Sequence, residues 1–71
     1  MRNVKIFSTD IENKTQVNEI RAAICSLFPQ SIVTVDLEDC DKVLRVEGNI
    51  PTSECVISLL SNLGFRCEEL E

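Results

Sequence analysis

Apolar residues in this chain change their spacing four times along its 71 residues, and each change marks the border of a secondary-structure element. Val4-Lys5-Ile6-Phe7-Ser8-Thr9 is rich in β-branched and aromatic residues and alternates over Val4 and Ile6, which predicts a strand with those two side chains buried. Val17, Ile20, Ile24 and Leu27 then recur at helical spacing, with Ala23 at the margin, and so form one stripe of an amphipathic α-helix. Phe28-Pro29 closes it, because the residue before a proline is driven out of the helical region.

Period two returns in Ser31 to Leu37, where Val33, Val35 and Leu37 point one way and Thr34 and Asp36 the other. The polar stretch Glu38-Asp39-Cys40-Asp41 is a turn, after which Lys42 to Gly48 alternates again with Leu44 and Val46 inward, so the two strands form a hairpin. Asn49 to Glu54, with its proline and hydroxyl residues, is a helix entry. The second helix has its stripe at Val56, Leu59, Leu60 and Leu63. Gly64 suits the left-handed residue just past a helix end, and Phe65 can then fold back on Leu60 in a Schellman cap. Arg66 to Leu70 is a short, charged last strand.

The resulting order is βαββαβ. Two helices separated by a hairpin and flanked by strands bury their stripes together when both lie on one face of a four-stranded antiparallel sheet. The expected fold is therefore α+β, a ferredoxin-like sandwich occupying residues 1–71 as a single domain. That architecture hosts many unrelated functions, so function must come from particular residues.

Net charge is −5, with no cluster of Lys or Arg, which sets the chain against nucleic acid and anionic lipid surfaces. The longest apolar runs fall far short of a membrane span, and the amino terminus lacks the apolar stretch of a signal peptide, so the expected location is cytoplasmic. Cys25, Cys40, Cys55 and Cys67 are separated by 15, 15 and 12 residues, a spacing that matches no recurring zinc motif, and in a reducing compartment all four are expected as thiols. There is no histidine, so the commonest general base and the commonest nitrogen ligand are both missing, and the chain does not read as an enzyme.

Several segments in register resemble heavy-metal-associated domains, over about positions 4 to 70. Val17-x-x-Ile20-x-x-Ala23-Ile24 is similar to their first helix, Val33-x-Val35-Asp36-Leu37 to their second strand and Leu44-Arg45-Val46-Glu47-Gly48 to their third. Gly64-Phe65 matches the pair that closes their second helix. Amino-acid-binding regulatory domains share the element order, but they usually carry a glycine at a helix entry that is missing here. The resemblance implies a soft-metal site on the first loop, built from Gly-Met-x-Cys-x-x-Cys. In this chain Ile11 stands at the Met position, and Asn13 and Gln16 stand at the two cysteines. A carboxamide oxygen is hard, neutral and a weak donor, so it cannot replace a thiolate for Cu(I). Asn13 followed by Gln16 instead fits a helix cap, in which each side chain serves a backbone N–H group.

The residues left for a site are few. Asp10, Glu12 and Glu47 could join in a hard-metal or acid/base site, although surface carboxylates are ordinarily solvated. Cys55 falls in the first turn of the second helix, at the edge of its stripe, where a packing thiol is the expectation; Cys25 lies at the border of the first stripe and Cys67 on the last strand. Cys40, in the turn, should be the most exposed. The sequence thus points to a metal-free relative of the heavy-metal-associated fold that serves as a protein-interaction or regulatory module with a protein partner. The alternative is a Cu(I) or Zn chaperone using relocated or partner-supplied thiols.

Overall fold

The computed structural model describes residues 3–50 and 52–70, so Pro51 of the expected helix entry lies outside the described residues. Its elements are β1 (Asn3–Thr9), α1 (Lys14–Leu27), β2 (Ile32–Asp36), β3 (Val43–Gly48), α2 (Ser53–Asn62) and β4 (Cys67–Leu70). They follow the expected order. The strands form one sheet in the order β2-β3-β1-β4, with every neighbouring pair antiparallel, and the fold is the ferredoxin-like α+β sandwich. No helix among the described residues is long and apolar enough to cross a membrane.

The register sorts side chains into two faces. Val33 stands opposite Val46, and Val35, Leu44 and Phe7 form a continuous row across three strands. These rows face the helices, where Phe7, Leu44 and Val46 are fully enclosed with Ile20 and Ile24 of α1 and Val56 and Leu60 of α2. The opposite face carries Ile32, Thr34, Arg45, Ile6 and Val4, and none of the described elements covers it.

Three expectations about burial are corrected by this arrangement. Val4 and Ile6 are 43% and 39% exposed on the bare face, whereas Phe7 and Thr9 of the same strand face the core. The apolar residues of β1 straddle both parities, and the choice follows from Phe7 pairing with Leu44, since a shift by one residue would move every side chain of the strand to the other face. Leu27 is 57% exposed and Leu63 is exposed as well, although both belong to their helical stripes. Each is the last position before the chain turns, and in each case the aromatic residue that follows, Phe28 or Phe65, packs against the core instead.

The two glycines occupy conformations that other residues adopt with strain. Gly64 has φ +92 at the end of α2, where Gly64 N–H donates to Ser61 O at 3.0 Å and Phe65 N–H to Leu60 O at 2.9 Å; together these make the expected Schellman cap. Gly48, at the end of β3, has φ +151, and a Cβ there would lie 3.1 Å from the Cα of Ser31, a backbone atom that cannot easily yield. Space around Gly64 is open. Gly64→Ala therefore suffers conformational strain alone and should lose about 1 kcal/mol, while Gly48→Ala combines strain with a backbone clash and should lose more, about 2–3 kcal/mol. Urea denaturation of the two variants measures the order, and equal losses would contradict it.

Candidate functional site

The end of the sheet formed by the last residues of β1 gathers the first loop, the β2–β3 hairpin tip and the entry to β4. In the loop, Ile11 is fully buried in the core. Asn13 is the N-cap of α1: its backbone is extended, and its Oδ1 accepts a hydrogen bond from Gln16 N–H at 2.9 Å. Gln16 returns a bond of its own, its Oε1 accepting from Glu12 N–H at 2.7 Å. The reciprocal bond thus reaches one residue farther back than the ordinary capping box, which uses the cap residue's own N–H. Both carboxamide oxygens are committed to backbone donors that would otherwise be unsatisfied at a helix start.

Asp10 also serves the backbone. Its Oδ1 accepts from Arg66 N–H at 2.8 Å, tying the first loop to the strand that enters beside it. Glu12 is exposed, and its backbone N–H is held by Gln16 as described. Glu47 pairs in register with Val4 at the opposite end of β1 and lies 3.7 Å from Arg45, so the structure does not bring Asp10, Glu12 and Glu47 into one site. These three carboxylates, which the sequence offers as candidates beside the stronger expectation of solvated surface charge, are kept apart because the register places Glu47 at the other end of the sheet.

The hairpin tip holds the one group of three potential metal-binding side chains found among the described residues: Asp39, Cys40 and Asp41, whose ligand atoms lie within 4.8 Å of one another. The sequence marks this stretch as a polar turn and gives no hint of clustering. Its polar groups have turn-building work. Asp39 Oδ1 accepts from Asp41 N–H at 2.8 Å, and Lys42, with φ +48, donates its N–H to Asp39 O at 3.1 Å. The tip is stitched to β1, with Thr9 N–H donating to Asp41 O at 3.0 Å and the Thr9 hydroxyl to Lys42 O at 2.6 Å. Beside it lies a polar hollow of about 250 Å³ bordered by Asp10, Cys40, Asp41, Arg66 and Glu68.

All four cysteines are free thiols. Cys25 and Cys55 are half-buried on their helices, and Cys55 Sγ lies 3.4 Å from the hydroxyl of Thr52, the residue that precedes α2. Cys40 is exposed, as its place in the turn implies. Cys67 packs against the core, and burial pushes its thiol up to about 12. Among the described residues no three of these thiols converge on one point.

Comparison with protein-family models, curated proteins and solved structures finds no match for this chain.

Two outcomes follow from the geometry of this end of the molecule. Asn13→Ala removes the acceptor at the start of α1 and should lower stability by about 1 kcal/mol in a denaturant titration, whereas Asn13→Asp, which keeps an acceptor, should lose little. Because the thiolate is the nucleophile and burial disfavours it, Cys67 stays protonated through the range in which an exposed thiol ionises. Timed iodoacetamide labelling of the folded protein at pH 8, read by peptide mass spectrometry, should modify Cys40 first and Cys67 last.

Proposed function

We propose that this protein is a metal-free relative of the heavy-metal-associated domains and acts as a small protein-interaction or regulatory module. The observation that carries this reading is the helix cap. At the two positions where the family resemblance requires thiolates, Asn13 and Gln16 give their oxygens to backbone N–H groups. A ligand oxygen already accepting a hydrogen bond is a poorer donor still, and a soft ion has no reason to displace it.

The bare sheet face adds support. Val4, Ile6 and Ile32 are all substantially exposed on it, while Asp10, Asn13, Gln16 and Asp39 of the first loop, helix start and hairpin tip each give a side-chain oxygen to a backbone N–H. What the molecule has to offer a partner is surface. Its acidic character, with a net charge of −5, keeps nucleic acid and anionic membranes out of that list of partners.

Titration of the reduced protein with Cu(I) and with Zn(II), followed by native mass spectrometry, tests the reading. The expected result is a spectrum of metal-free protein at micromolar metal. Stoichiometric uptake with submicromolar affinity would overturn it, and substituting Cys25, Cys40, Cys55 and Cys67 by serine in turn would then identify the thiol responsible, since a ligand loses metal and a packing thiol changes only stability.

A further inference from the structure

We draw no further inference here: the strongest candidate, the bare sheet face opposite the helices, where the exposed Val4, Ile6, Ile32 and Leu70 stand around the Arg45–Glu47 pair, carries nothing because nothing in the structure shows what covers it.

Discussion

Phe7 and Leu44 stand opposite each other on the two central strands, both fully enclosed, in the middle of the layer on which both helices rest. On one side the row continues through Val35; on the other the β4 partner of Phe7 is the exposed Glu69, and β4 reaches the layer through Cys67. Ile20 and Ile24 come down from α1, and Val56 and Leu60 from α2, so a single apolar layer serves all six elements. A domain of this length has no second core to fall back on. The placement of every other residue is in effect a choice between that layer and solvent.

The same layer explains why the first loop is built as it is. With Ile11 drawn fully into the core just before α1, the chain must enter the helix at a fixed angle, and the four N–H groups at the helix start must find acceptors within the loop. Asn13 supplies one of those acceptors, to Gln16 N–H, while Gln16 holds the Glu12 N–H of the loop before the cap and Asp10 fastens the loop to the residue that enters β4. Thr9 completes the frame by holding the hairpin tip through both its N–H and its hydroxyl. Releasing any of these groups gives up a backbone hydrogen bond worth on the order of 1 kcal/mol. Stability and ligand binding compete for the same oxygens in this loop, and stability holds them.

How far the sequence disclosed this depended on whether the signal was local. The alternation in β2 and β3, the stripe positions Ile20, Ile24, Val56 and Leu60, the Gly64 cap and the Asn13 cap all depend on spacing within a few residues, and each is present in the structure. The orientation of β1 does not, because Val4, Ile6 and Phe7 offer apolar side chains to both faces and only pairing with β3 chooses between them. Leu27 and Leu63 fail for a related reason: a helical stripe predicts direction but not where the sheet beneath it stops. The bonds from Thr9 to the hairpin tip, and from Asp10 to Arg66, join residues 33 and 56 positions apart and leave no mark in local pattern.

An inward-facing side chain in a small sandwich is constrained by every neighbour at once, whereas an edge strand is constrained on one side only. Strand β2 could have carried lysine or glutamate at Ile32 or Thr34 without disturbing the core, since both are exposed on the bare face. It carries neither, while β4, equally free on its outer side, carries two carboxylates. The helix beside β2 likewise leaves Lys14 and Arg21 without an ion pair to any described residue, although Asp36 and Glu38 border the same groove. Packing requires none of these choices, and together they mark the β2 side as the part of the surface whose composition the fold itself does not explain.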